Sequence, residues 1–273
     1  LEEDEIGRKG TNALILCINS DRKFAEKFAK CISESLNVPI SEKIVAKEAK
    51  KRLKKDIIIC DDRGNCVGLS LKTRKPGRPD GHLDRRWLHK DGKLCSSWKN
   101  ALNMPKEVFK AFKKGIIEKA KNVQANLIRQ EDQPIVEKFL LSNLGKFLEE
   151  AFRRGENDLH LFAVMEYENE KSLYVFRMDD IIKFVEENVK TSGIKFGANI
   201  SIGDFLWIQR KAGDGKRANA LRPKTDPNHP GNQLQVKVLP IALKDAALKK
   251  IKYCKFDMQL EFSAKLDVSK GVD

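Results

Sequence analysis

The chain has 273 residues, of which 41% are hydrophobic, enough for one large domain or two modest ones with a packed core. No run of 18 apolar residues is present, and the stretch from Leu1 to Lys9 has no apolar signal-peptide core. A soluble intracellular protein with reduced thiols is therefore expected, the six cysteines being too dispersed for a disulfide-stapled secreted domain. Lysine and arginine number 53 against 39 acidic residues, and the net charge of +14 favours a polyanionic partner without choosing between DNA, RNA and an anionic membrane.

Between Thr11 and Leu36 the apolar residues follow a helical period, with Phe24, Phe28, Ile32 and Leu36 at steps of four. One amphipathic helix, or two joined near Asn19, is expected to end before Asn37-Val38-Pro39. A short basic helix is predicted over Ser41 to Arg52, with Ser41 as its cap. The next stretch, Asp56 to Lys72, has two apolar runs flanking Asp61-Asp62-Arg63-Gly64-Asn65, which predicts an antiparallel hairpin. Residues 72 to 93 contain Pro76, Gly77, Pro79, Gly81 and Gly92 and are predicted to form no regular structure.

Helices are predicted at Pro105 to Gln130 and Gln133 to Arg154. A strand pair follows at Leu159 to Tyr167 and Ser172 to Arg177, then a helix at Met178 to Val189. The last third reads as strands at Ile200 to Arg210, Gln233 to Leu239 and Cys254 to Ala264, with a loop at Lys211 to Gly231. The expected architecture is one α/β (α+β) domain over residues 1 to 273, a central mixed sheet flanked by helices, with the first helix beside the hairpin.

The chemistry is concentrated in the hairpin. Asp56 opens its first strand, and Ser70 and Lys72 lie two apart on the second, so strand alternation points the latter pair to one face. A carboxylate suits a metal ion, and a lysine suits both the orientation of an attacking water and the charge of a phosphate. The plain alternative is a surface hairpin with ordinary charged flanks. Asp61 and Asp62, at the turn, are expected to serve the turn itself.

Asp56-Ile-Ile-Ile and Val67-Gly-Leu-Ser-Leu-Lys72 together resemble the catalytic hairpin of Type II restriction endonucleases of the PD-(D/E)xK superfamily. The Gly-Leu-Ser-Leu-Lys string especially resembles the HaeIII-like group. The resemblance is sharp over residues 56 to 72 and loose elsewhere. It implies a restriction-endonuclease-like core and magnesium-dependent hydrolysis of double-stranded DNA at a short specific sequence, leaving a 5′-phosphate. It also implies catalysis by Asp56, Ser70 and Lys72, a prokaryotic cytoplasmic location, and a cognate methyltransferase within a restriction-modification host-defence system. Ser70 departs from the pattern, which usually has an acidic residue there, so a further metal ligand is sought. Glu26 and Glu34 on the preceding helix are the candidates beside Asp56, with the solvated helix face as the plain alternative. A homodimer is expected, because two strands must be cut and twofold symmetry matches a palindromic site.

Two loops are candidates for DNA contact. Residues 74 to 98 carry Arg74, Lys75, Arg78, His82, Arg85, Arg86, Trp87 and His89, where arginine forks suit guanine edges and phosphates. Residues 209 to 235 carry Arg210, Lys211, Lys216, Arg217, Arg222, Asn232, Gln233 and Gln235, a mixture suited to base edges as well as phosphates. A zinc site built on Cys60, Cys66, His82, His89 and Cys95 lacks the paired Cys-x2-Cys spacing. Competing readings are a non-catalytic sequence-specific DNA-binding protein, which has no need for Asp56 beside Lys72, and a non-specific repair nuclease, which would give a smear of fragments.

Overall fold

The computed structural model describes residues 3–50, 53–73, 79–93, 95–166, 172–212, 220 and 222–258. In chain order the elements are α1 (Glu3–Ser20), α2 (Arg22–Glu34), β1 (Ile44–Glu48), β2 (Ile57–Asp61), β3 (Cys66–Thr73), β4 (Gly81–Arg86), α3 (Trp98–Ala101) and α4 (Lys106–Lys121). They continue as α5 (Gln133–Ser142), α6 (Leu144–Phe152), β5 (Leu159–Glu166), β6 (Ser172–Arg177), α7 (Met178–Ser192), β7 (Ile194–Phe196), β8 (Ile200–Ile202), β9 (Leu206–Arg210), β10 (Leu234–Val238), α8 (Pro240–Ala247) and β11 (Cys254–Asp257). Among the described residues, no helix is long and apolar enough to cross a membrane.

The central sheet is mixed, in the order β1-β2-β3-β5-β6-β11, with β3 and β5 parallel and the other pairs antiparallel. Alternation gives it two apolar faces. Ile57, Ile59, Val67, Leu69, Leu71, Leu161, Ala163 and Met165 join one core with Leu14, Ile18, Phe28 and Ile32 of α1 and α2. Phe162, Val164 and Phe176 of the opposite face join a second core with α4 to α7. That core also takes the apolar side of a second, five-stranded antiparallel sheet, in the order β4-β10-β9-β8-β7, which the sequence reading did not foresee.

The hairpin forms as predicted, Ile57 pairing with Leu69 and Cys60 with Cys66. Its turn holds Gly64 at φ +87°, backbone that side chains rarely adopt. The Asp61 carboxylate gathers the turn, accepting hydrogen bonds from the backbone N–H groups of Ser41, Arg63 and Asn65 and from the Asn65 amide.

Several expectations are corrected. The basic helix over Ser41 to Arg52 is instead edge strand β1, because Ile44 and Ala46 alternate into the core against β2. Residues 72 to 93 are not devoid of regular structure: β4 lies within them, paired to β10 from far along the chain. The helix begun at Lys106 stops at Lys121, and the chain then turns back so closely that a Cβ on Gly115 would strike the Leu127 carbonyl. The helix from Gln133 breaks at Asn143 into α5 and α6, and the strand from Ile200 folds at Gly203 into β8 and β9. Of the strand expected at Cys254 to Ala264, the part beyond Met258 lies outside the described residues, as do residues 167 to 171. The thiols are not all reduced: Cys31 bonds Cys254, tying α2 to β11, and Cys60 bonds Cys66 across the hairpin. Pairing decided this, since Cys60 and Cys66 face each other in register.

Burial by itself would raise the Asp61 carboxyl, but its hydrogen bonds from Asn65, Ser41 and Arg63 outweigh this and hold it down at about 2. A carboxylate depressed on folding contributes stability above its unfolded pKa of about 3.9, lost as pH falls toward the folded value. The stability difference between the wild type and Asp61→Asn, followed by urea denaturation, is therefore expected to shrink between pH about 4 and pH about 2.

Candidate active site

Asp56 precedes β2 and extends its ladder, its N–H donating to the Leu69 carbonyl at 2.8 Å. It thus sits opposite Ser70, with Lys72 as its diagonal neighbour on the same face. The Asp56 carboxylate turns onto β3, where Oδ2 accepts the Leu71 N–H at 2.7 Å and the Ser70 hydroxyl at 3.4 Å. Ser70 is buried, while Asp56 and Lys72 remain half-exposed. The structure therefore brings Asp56, Ser70 and Lys72 together, on the sheet face turned away from α1 and α2.

A second lysine, not singled out in the sequence, stands on that face. Lys54 donates to the Leu83 carbonyl of β4 and lies 3.3 Å from Asp84. Burial pushes its ammonium down to about 7 despite Asp84, with the cations of Arg154, Lys72 and Arg86 adding to the fall. Asp84 is buried and also binds Arg86, at 2.7 Å, and Arg154. Burial would raise the Asp84 carboxyl, but Lys54, Arg86 and Arg154 together keep it below the usual carboxylate range. Glu156 accepts the N–H groups of Lys54 and Lys55, so the approach to Asp56 is pinned from both sides. Alternation in sequence cannot show such a cluster, because its members come from three segments joined only in space.

The other candidates divide. Glu26 is exposed and paired with Arg22, and Glu34 borders a surface groove formed with residues 248 to 253. Both lie on α2, against the opposite face of the sheet, so neither joins Asp56. Among the described residues, no three His, Cys, Asp or Glu side chains gather as a metal-binding group, and Cys60 and Cys66 are taken up in a disulfide.

Arg86 is a structural residue, buried between Asp84, Glu150 and the ring of Trp98, where it has no surface to offer DNA. Arg210 and Asn232 are likewise buried and bonded to each other at 2.7 Å, Asn232 also holding the carbonyls of Lys224 and Asp226. Arg85 and His82 are exposed on β4. Trp87 carries Lys90 over its ring, and His89 hydrogen-bonds Asn228 at 3.3 Å, joining the two loops expected to contact DNA. Lys211 bonds the Gln233 carbonyl through its backbone, Arg222 pairs with Asp226, and Gln235 is buried beside His82. Arg74, Lys75, Arg78, Lys216 and Arg217 lie outside the described residues.

No protein-family model matches the sequence, and no curated protein matches it. Among solved structures, the chain is similar to the restriction endonuclease MspI in a crystal structure with its cognate DNA. The TM-score is 0.51 at 11% identity, over 86% of this chain and 89% of that one. The fold, a mixed sheet flanked by helices, is therefore restriction-endonuclease-like.

Replacing Asp84 strands three buried or half-buried cations. Asp84→Ala is expected to destabilise the fold by about 3–5 kcal/mol, the usual cost of removing one partner from a buried ion pair, as read from urea denaturation midpoints.

Proposed function

We propose that the chain is a magnesium-dependent endonuclease that cuts double-stranded DNA at a short specific sequence, in the manner of Type II restriction enzymes. The observation that carries this reading is the meeting of half-exposed Asp56 and Lys72 with buried Ser70 on one face of the hairpin. The restriction-endonuclease-like fold and the net charge of +14 support it. The Gly68 to Lys72 string points within that class to the HaeIII-like group.

The donor set fits Mg2+, a hard ion that is commonly held by one or two carboxylates, waters and substrate phosphate oxygens. Asp56 would hold it through Oδ1, since the hydrogen bonds described for its carboxylate reach Oδ2, with the Ser70 hydroxyl as a neutral neighbour. When bound, the ion supplies Lewis-acid stabilisation of the phosphate and a more acidic water. The Leu71 N–H and Ser70 fix the orientation of Asp56. Lys72 binds the scissile phosphate electrostatically and orients the attacking water at its ammonium. Lys54, buried on the same face with its ammonium lowered to about 7, adds positive potential while protonated. A homodimer acting on a palindromic site, a 5′-phosphate product and a cognate methyltransferase for host protection complete the proposal.

Digestion of a long unmethylated DNA of known sequence tests it. Discrete Mg2+-dependent fragments are expected from the wild type, with the rate reduced at least about 100-fold in both Asp56→Ala and Lys72→Ala. Intact DNA in every lane, with the wild type still shifting DNA in a gel, leaves a DNA-binding protein. A smear leaves a non-specific nuclease.

A further inference from the structure

The second sheet has an outward side that neither core uses. Leu206, Ile208, Leu234, Val236 and Val238 point into the core, so alternation turns their neighbours outward. The register aligns these neighbours in two rows. One runs Lys195, Ser201, Trp207, Lys237 and His82, and the other Gln209, Gln235 and Arg85. Lys195, His82 and Arg85 are exposed, and Ser201, Trp207, Lys237 and Gln209 are half-exposed.

A hydrogen-bond chain with a fixed direction crosses this side. The Trp207 indole can only donate, so the Gln209 atom 2.9 Å from it is the amide oxygen. The Gln209 nitrogen then donates to the Gln235 oxygen at 2.9 Å, and the Gln235 nitrogen donates to His82 Nδ1. His82 must therefore carry its proton on Nε2. Loss of hydration in the cluster, with the cations of Lys237 and Arg85, pushes this imidazole down to about 4, which keeps it neutral at physiological pH. Buried Gln235 thus orients two groups at the surface, the half-exposed Gln209 amide and the exposed His82 imidazole, which lowers the side-chain freedom lost on binding.

Building on the nuclease reading, we propose that this outward side of β4, β10 and β9 is the surface that reads the base edges of duplex DNA. Amide and imidazole groups held in fixed orientation match the donor and acceptor pattern of a groove, and Lys195 and Arg85 supply contacts to phosphate. The position is also right for a cutting enzyme. β4 is clamped to the hairpin through Lys54, and the charge of Lys72 reaches His82. Gln209, Trp207 and Lys237 carry this surface, and of the three Trp207 and Lys237 lie outside the segments expected to contact DNA.

The test is chemical footprinting in EDTA, where no cutting occurs. Lysines are acetylated with and without saturating sheared genomic duplex DNA, and modification is read by mass spectrometry. Lys195 is expected to be protected several-fold, while Lys23 and Lys30 on α2 are modified as before. In Mg2+, Gln209→Ala is expected to lower discrimination between cut and uncut sequences about tenfold for the lost base contact. Unprotected Lys195 in a wild type that still cuts DNA into discrete fragments would overturn this assignment and leave the nuclease reading standing. Protected Lys195 in a wild type that leaves DNA intact would support the surface and overturn the nuclease reading. Protection by phosphatidylglycerol vesicles and not by DNA would overturn the surface as a DNA reader.

Discussion

The buried carboxylate of Asp84 is the point at which the molecule is joined. It lies on β4, yet its partners Lys54, Arg86 and Arg154 come from the approach to the hairpin, from its own strand, and from the end of α6. A lone ionised carboxylate in that place would be costly, and so would three unpaired cations, so each element is held where the opposite charges meet. Through this cluster the second sheet is fixed against the approach to the β2–β3 hairpin.

That attachment sets the relation between chemistry and recognition. The sheet face bearing Asp56, Ser70 and Lys72 has its opposite side filled by α1 and α2, so the three lie on the face where Lys54 meets β4 of the second sheet. The apolar side of the second sheet is in turn used up in the core with α4 to α7, which leaves its polar side as surface. Packing of two amphipathic sheets around shared helices thus joins the face bearing Asp56, Ser70 and Lys72 to β4, whose outward side carries exposed His82 and Arg85.

Burial also explains why some basic residues are poor contacts for a polyanion. Arg86 and Arg210 come from the same basic segments as exposed Arg85 and half-exposed Lys211, but strand alternation turns them inward, where they satisfy Asp84, Glu150 and Asn232. On a strand, adjacent arginines have opposite fates, and only the register tells which is which.

The sequence alone determined the elements whose signals are local. Alternating apolar runs around Asp61 to Asn65 specified the hairpin, and with it Asp56 and Lys72 as neighbours, because a tight turn leaves little freedom of register. The four-residue steps of Phe24, Phe28 and Ile32 specified α2 in the same way. The tertiary structure decided everything that depends on pairing at a distance. β1 and β4 are strands because β2 and β10 offer them edges, despite basic or glycine-rich sequences that argue otherwise. The Asp84 cluster, the Cys31–Cys254 bond and the chain from Trp207 to His82 unite residues remote in sequence, and a one-dimensional pattern carries no record of such distances.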